Sequence, residues 1–324
     1  MSLDATAPDP TRTGPQRLRA LLRGTTPARL PGVYDAVSAA IAAELGAPAV
    51  CLSGATVSAV DLGLPDLGFV HGTDIARRAA ALRGPLAGVP VLADADTGYG
   101  NALQAARTTR EYAAAGIAGL HLEDQVAPKR CGHLGGKEVV DLDEAAARVR
   151  AAVEAGTGLV VVARTDALSV LGRDAVVARC RAFAEAGADA VFVEGAGLAD
   201  LHAVAAALAA DRRLLPQVYN RSEAGGPVEA GPDDAALAAA GVRLVIHPVS
   251  ALLAAASAAR HAISGVLEDG HAGRAERMDW GDLTDLVGLP ALLAEERAHA
   301  ARGGVPQTTT TTPTNPTTMD EVQR

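Results

Sequence analysis

The feature that most narrows the fold of this chain is a rhythm in which eight short apolar runs alternate with longer alanine-rich stretches. The runs are PGVYDA from Pro31, PAVCLSG from Pro48, VPVLADAD from Val89, GLHLEDQ from Gly119, LVVVARTD from Leu159, DAVFVEG from Asp189, LLPQVYN from Leu214 and RLVIHPVS from Arg243. Buried parallel strands read in this way, as near-continuous apolar segments. The intervening stretches, such as NALQAARTTREYAAAG and DEAAARVRAAVEAG, have helical spacing, the latter started by Asp141 or Asp143 and stopped by Gly156. Eight strand–helix units predict an α/β fold of the (β/α)8 TIM type, for which ~250 residues is typical. A doubly wound open sheet competes, but the count of eight and the lack of a glycine fingerprint after the first run favour the barrel.

Residues 275–300 predict further helices beyond the eighth unit, suited to subunit contacts. The expected organisation is a barrel with its C-terminal helices over 15–303, between disordered tails at 1–14 and 304–324. The first tail is rich in Pro, Thr and Asp, and the second is a Thr/Pro tract without the apolar residues that offset ordering entropy. Hydrophobic residues are 49% of the 324 but aromatics only 2%, so the core must be built from Ala, Val and Leu. A net charge of −9 argues against nucleic acid as a partner. Cys51, Cys131 and Cys180 are too few for a disulfide framework, which points to a reducing compartment. With no secretory signal at the N terminus and no run of ~18 apolar residues, the expectation is a cytoplasmic protein that does not enter membranes.

Barrel enzymes keep their chemistry at the carboxyl ends of the strands, and here those ends are polar. Strand two ends in Ser53-Gly54, three in Asp94 and Asp96, four in His121 and Glu123-Asp124, five in Arg164 and Asp166, six in Glu194, seven in Asn220 and eight in His247. Seven consecutive strands with polar ends read as an active-site ring. Asp94 and Asp96, two apart on a strand, share a side, and with Glu123 they form an oxygen-only cluster suited to Mg²⁺. The structural alternative is that Asp96 caps the next helix and Asp94 pairs with a lysine. His121 points the same way as Glu123. Arg164 can bind a carboxylate bidentately, or pair with Glu194 or Asp166.

The segment APKRCGHLGGK follows strand four in a connection running from Asp124 to about Asp141, longer than the usual ~2–6 residues. Gly132, Gly135 and Gly136 allow it to move as a lid that excludes water. Cys131 on it is a candidate general acid, its pKa expected to be lowered by Lys129, Arg130 and His133. An exposed cationic loop with an incidental cysteine is the alternative.

The stretches LSGATVSAVDLGLPDLG, DADTGYGN, GLHLEDQVAPKRCGHLGGK, ARTDA and NRSEAGG together resemble the isocitrate lyase/phosphoenolpyruvate mutase superfamily over nearly all of residues 16–300. The K-R-C-G-H block resembles its lyase-type branch, that of methylisocitrate lyase, dialkylmalate lyase and carboxyphosphonoenolpyruvate phosphonomutase. The resemblance implies a Mg²⁺-dependent barrel, with Mn²⁺ as a substitute, forming a homotetramer that swaps its last helices between subunits. It also implies that Asp94 and Asp96 hold the metal, with Glu123 helping through water. Ser53, Gly54 and Ala55 would contact the 2-oxo acid half of a small carboxylate substrate, with Asp66 near the reacting group and Lys129 and His121 in the catalytic surroundings. Cys131 would be the acid, and Arg164, Gly132, His133, Asn220 and Ser222 would bind carboxylates, with Glu194 orienting its neighbours. The implied reaction is carbon–carbon cleavage of a 2-hydroxy di- or tricarboxylate through an enolate-type species; phosphonomutase and oxaloacetate decarboxylase activities are the alternatives. Three departures bear on the substrate: Cys51 and His247 stand where the methylisocitrate and isocitrate lyases carry tyrosine, and Leu134 where arginine is usual in the methylisocitrate lyases.

Overall fold

The computed structural model describes residues 11–225 and 231–303. In chain order its elements are α1 (Gly14–Leu22), β1 (Ala28–Pro31), α2 (Ala36–Glu44), β2 (Val50–Leu52), α3 (Gly54–Val57) running into a π turn (Ser58–Leu62), α4 (Gly72–Leu82), β3 (Val91–Asp94) and α5 (Ala102–Ala114). They continue with β4 (Gly119–Glu123), α6 (Leu142–Glu154), β5 (Val160–Thr165), α7 (Leu168–Leu171), α8 (Arg173–Glu185), β6 (Ala190–Val193), α9 (Leu198–Ala210), β7 (Gln217–Asn220), α10 (Asp234–Ala239), β8 (Val242–His247) and α11 (Ser250–Asp269). A separate unit from Met278 contains α12 (Trp280–Leu286) and α13 (Leu289–Gly303). The expected tails lie largely outside the described residues; of the first, residues 11–14 are described, and Thr13 caps α1.

All strand pairs are parallel, in the order β1-β8-β7-β6-β5-β4-β3-β2. A single bridge between Gly32 and Cys51 joins the two edges, Val33 N donating to Cys51 O at 3.0 Å, so the barrel is nearly closed. Alternation along the strands sorts side chains into two layers. Leu30, Cys51, Leu92, Val160, Val162, Phe192, Val218, Leu244 and Ile246 point inward and pack with Leu18 and Leu22 of α1, which plugs the N-terminal end. Val50, Leu52, Val91, Ala93, Leu120, Leu122, Val161, Ala163, Val191, Val193 and Val245 point outward against the helices, together with Tyr112 and Phe183.

Seven of the eight expected strands stand where the apolar runs put them. The first is displaced: β1 is Ala28–Pro31, and VYDA is a turn and a helix cap. The capping chemistry of Asp35 explains the shift, because its carboxylate accepts Ser38 N at 2.8 Å while Ser38 Oγ accepts Asp35 N at 3.1 Å. The eighth run also differs in orientation. Ile246 faces the barrel interior, so His247, one residue on, does not, and the expected polar ring is interrupted at β8. The helix α11 has the length and hydropathy to cross a membrane, but it follows β8 as the last helix of the barrel and carries Arg260 and His261.

The closing seam has no room for a side chain. A Cβ on Gly32 would stand 2.1 Å from Pro248 O and 2.8 Å from His247 O, both backbone atoms. Gly32→Ala is therefore expected to lower the unfolding free energy by about 3 kcal/mol, the upper end for overpacking. Urea denaturation followed by circular dichroism would show it, and an unchanged midpoint would contradict this account of the seam.

Candidate active site

Continuing the inward alternation by two residues from the last apolar layer gives the polar mouth of the barrel: Ser53 beyond Cys51, Asp94 beyond Leu92, Glu123 beyond His121, Arg164 beyond Val162, Glu194 beyond Phe192 and Asn220 beyond Val218. A cavity there is lined by Ser53, Ala55, Asp66, Asp94, His121, Cys131, Gly132, His133, Arg164, Glu194, Asn220 and Ser222. The remaining expected residues lie behind or beside it. Gly54 is buried with its N–H donated to Asp94 Oδ2 at 3.1 Å, and Asp96, Glu123 and Lys129 are buried below. Its apolar lining is Ala224, Ile246, Pro248 and Val249 with Cys51 and Phe192, of which the sequence alone singled out only Cys51.

Asp94 and Asp96 converge beside Gly54, where a Cβ would meet Asp94 Oδ2 at 3.2 Å and Asp96 Oδ1 at 3.3 Å. Asp94 Oδ1 accepts Asp96 N at 3.1 Å and lies 3.4 Å from His121 Nδ1. Burial disfavours the Asp94 charge, but His121, Lys129 and Arg164 outweigh it and hold its carboxyl below the usual range. Asp96 has the opposite balance. Burial and the neighbouring Asp94 push it up to about 7. Burial also raises Glu123 well above a normal glutamate, although Arg164 Nε is 3.3 Å away. Neither structural alternative for the pair holds as expected: Asp96, not Asp94, meets a lysine, and Asn101 caps α5.

Glu123 Oε1 is buried with no partner, and Asp96 Oδ1 and Glu123 Oε2, also buried, have only the ion pairs to Lys129 at 3.0 Å and to Arg164 at 3.3 Å. Such atoms are costly to bury, and hard oxygen donors are what Mg²⁺ takes. Among the described residues no three His, Cys, Asp or Glu side chains are arranged to enclose an ion. Mg²⁺ commonly uses one or two carboxylates and fills its other positions with water or substrate oxygen. The donor set therefore fits the ion.

Two cations tie the acids together. Lys129 Nζ lies 2.5 Å from Asp66 Oδ1 and 3.0 Å from Asp96 Oδ1. Burial opposes its charge, yet Asp96, Asp94, Glu123 and Asp66 hold it protonated far above the usual lysine range. Arg164 donates from Nε and Nη2 to Asp166 at 3.0 and 3.2 Å, sits 3.6 Å from Glu194 Oε2, and stacks 5.1 Å over Phe192. Asn220 Nδ2 donates to Glu194 at 3.3 Å, leaving Asn220 Oδ1 unpartnered. Asp124, expected in the ring at the end of β4, instead faces outward, where it accepts from Thr165 Oγ1 at 2.5 Å and Arg179 Nη1 at 2.9 Å.

The loop after β4 lies over this mouth. Gln125 Nε2 donates to Arg130 O and Gln125 Oε1 accepts from Arg130 N, both at 2.9 Å, and Cys131 N donates to Asp66 O at 3.2 Å. Cys131 Sγ is 3.8 Å from His133 Nδ1. The expectation of a lowered Cys131 pKa is overturned. Burial raises it, Asp66 adds to the rise, and the cationic pull of Lys129 and Arg164 does not compensate. Cys131 is thus a thiol at neutral pH. Cys51 is pushed up to about 12 by burial.

Residues 18–267 match the family described as phosphoenolpyruvate phosphomutase, and the chain belongs to it. Within the isocitrate lyase/PEP mutase superfamily it stands close to the methylisocitrate and dialkylmalate lyases, enzymes of lyase type that cleave or rearrange C–C or P–C bonds. It is 39% identical over 254 residues to the 2-methylisocitrate lyase of Bacillus subtilis (strain 168), covering 78% of this chain and 82% of that one. The structure of 2,3-dimethylmalate lyase aligns with TM-score 0.79 at 37% identity, covering 92% of this chain and 100% of that one. A phosphonopyruvate hydrolase in complex with oxalate and Mg²⁺ aligns with TM-score 0.75 at 26% identity, covering 90% and 99%.

Gly132 packs so tightly against Glu194 and Arg164 that a Cβ there would be 2.7 Å from Glu194 Cδ and 2.8 Å from Arg164 Nη2. Gly132→Ala is expected to keep the loop from seating and to weaken substrate capture at least tenfold in KM, with thermal stability little changed. An unchanged KM would show that the loop need not come this close.

Proposed function

We propose that this chain is a Mg²⁺-dependent lyase that breaks a carbon–carbon bond in a 2-hydroxy di- or tricarboxylate of the 2-methylisocitrate or alkylmalate kind. The observation that carries this reading is the position of Cys131: a protonated thiol on the loop, opening into the same cavity as the buried acid cluster. Asp94 and Asp96, with Glu123 behind them, would hold the ion. When bound, it would supply Lewis-acid stabilisation of negative charge developing on the 2-oxo acid half.

The chain's own groups then divide the work. Ser53 and Ala55 face the cavity beside Asp94, with Gly54 buried behind them, where the 2-oxo acid would leave. Arg164, His133, Asn220 and Ser222 receive a carboxylate, and Glu194 fixes Asn220. As the bond breaks, its electron pair passes to the carbon of the departing carboxylate half, and the Cys131 thiol gives that carbon a proton. Cys51, protonated up to about pH 12, is unsuited to take the hydroxyl proton. That task falls to a carboxylate facing the cavity, of which Asp66 is the one tied to the loop. Lys129 keeps Asp66 and Asp96 in place, and His121, against Asp94 and edge-on to Phe192, supports the cluster. The apolar wall of Ala224, Ile246, Pro248 and Val249 suits an alkyl substituent on the substrate. A cytoplasmic homotetramer with exchanged C-terminal helices completes the reading, and light scattering on the purified chain tests its assembly.

Cys131→Ser is expected to lower kcat by ~10²–10⁴-fold while a 2-oxo acid still binds in the presence of Mg²⁺. The readout is 2-oxo acid released from a panel of hydroxy di- and tricarboxylates, and release from none of them would sink the lyase reading. Oxaloacetate in the panel detects decarboxylation, and phosphorus NMR with a carboxyphosphonoenolpyruvate-type substrate detects phosphonomutase activity. Removing divalent ions with EDTA is expected to abolish turnover. Mg²⁺ should raise the melting temperature of the wild type and not of Asp96→Asn; equal shifts in both would take Asp96 out of the metal site.

A further inference from the structure

The chain contains 29 lysines and arginines, of which only two are lysines, Lys129 and Lys137. Both stand on the loop after β4, one on each side of Cys131, and both bury their ammonium groups, with side-chain exposures of 5% and 6%. Lys129 belongs to the acid cluster described above. Lys137 has no part in that cluster. Its Nζ donates to Gly132 O at 2.7 Å and to Asp166 Oδ1 at 3.0 Å. Asp166 is fully buried and is the same carboxylate that grips Arg164. Just beyond Lys137 the backbone is anchored, Val126 N donating to Glu138 O and Val140 N to Asp124 O, both at 2.9 Å, whereas Gly135 and Gly136, the latter at φ +75°, precede it, so Lys137 stands where the anchored end gives way to the glycine-rich stretch.

We propose that Lys137 is a positioning residue that latches the loop shut and couples its closure to Arg164. The inference rests on the substrate reading only for the role of Arg164; the latch itself stands on the geometry. Three features support it. An ammonium is a compact charge with three donors that can bridge a backbone carbonyl and a carboxylate oxygen side by side, which a planar guanidinium does less well. A lysine head buried on a glycine-rich surface loop is unfavourable unless its partners hold it, so the contact to Asp166 is lost whenever the loop lifts. With the loop seated, Asp166 Oδ1 is shared between Lys137 and Arg164, which weakens its hold on Arg164 and leaves the guanidinium freer to face a substrate carboxylate. By linkage, a carboxylate that draws on Arg164 favours the closed loop.

Hydrogen exchange of the full-length protein without ligand tests the latch separately from any chemistry. In Lys137→Met the amides of residues 130–137 are expected to exchange at least tenfold faster than in the wild type, with barrel peptides unchanged as the internal control for folding. Lys137→Arg, which keeps the charge, is expected to fall between the two. Wild-type exchange in Lys137→Met would overturn the proposal, and so would loss of protection spread equally through the barrel. Should Lys137→Met fail to fold, loop exchange in Lys137→Arg at the wild-type rate would overturn it, and a rise confined to the loop would support it. Coupling is read from iodoacetamide labelling of Cys131 located by mass spectrometry, since Cys51 and Cys180 are buried. Mg²⁺ with oxalate is expected to slow labelling about tenfold in the wild type and not in Lys137→Met; equal slowing in both would overturn the coupling. No slowing in the wild type would count against both the coupling and the substrate reading, while the exchange result would still judge the latch.

Discussion

The mouth of this barrel depends on the pairing of many buried carboxylates with few buried cations. Asp66, Asp94, Asp96, Glu123, Asp166 and Glu194 crowd around Lys129, Lys137 and Arg164. Removing one partner from such a pair leaves an uncompensated buried charge, typically ~3–5 kcal/mol of destabilisation. The excess is negative, and it is concentrated where Asp96 and Glu123 are pushed toward their protonated forms. An acid cluster kept this far from balance by the protein is suited to receive positive charge from outside, whether as an ion or as developing charge complementarity during reaction. The imbalance is local, because on the outer face of β4 and β5 Asp124 is matched by Arg179, Thr165 and a backbone N–H.

Strand alternation converts this electrostatics into geometry. The residue that fills the barrel and the residue that lines the site are neighbours at i and i+2 on most strands, so the core beneath the site and the site itself are set by one register. A slip of one residue would move Asp94, His121, Glu123 and Arg164 to the helix side together. The same constraint explains the two kinds of lining in the cavity. On β3 to β7 the terminal inward position is polar, whereas on β8 it is Ile246, with Pro248 and Val249 following. The cavity is consequently lined by polar and charged residues from the ends of β3 to β7 and by apolar ones from the end of β8 and just beyond it.

Much of this was legible from residue order, because strands β2 to β8 are buried on both faces and write themselves as continuous apolar runs. β1 was not, since its four residues, ARLP, have little of that character and the more apolar-looking segment after it is consumed by the capping box at Asp35 and Ser38. The positions of Asp94, Glu123, Arg164, Glu194 and Asn220 followed from the strand ends. His247 did not, because parity across a run with apolar residues on both sides cannot be read without knowing which residue is inward. The partnerships were harder still. That Lys129 meets Asp66, 63 positions away, and that Lys137 meets Asp166 are tertiary facts. A compositional clue to the second existed in the rarity of lysine.

The cations of the loop looked, in sequence, like devices for acidifying Cys131. In the folded chain Lys129 is committed to Asp66 and Asp96, Lys137 to Gly132 and Asp166, and Arg130 is exposed, so little positive charge is left for the sulfur. Burial then decides its state, and the thiol keeps its proton. For a nucleophile that would be a defect. In the lyase reaction proposed above, where this group would deliver a proton to carbon after the bond has broken, the seated loop would carry its acid already loaded. On that reading the lysines would serve by holding the loop in place and would leave the acidity of Cys131 to its surroundings.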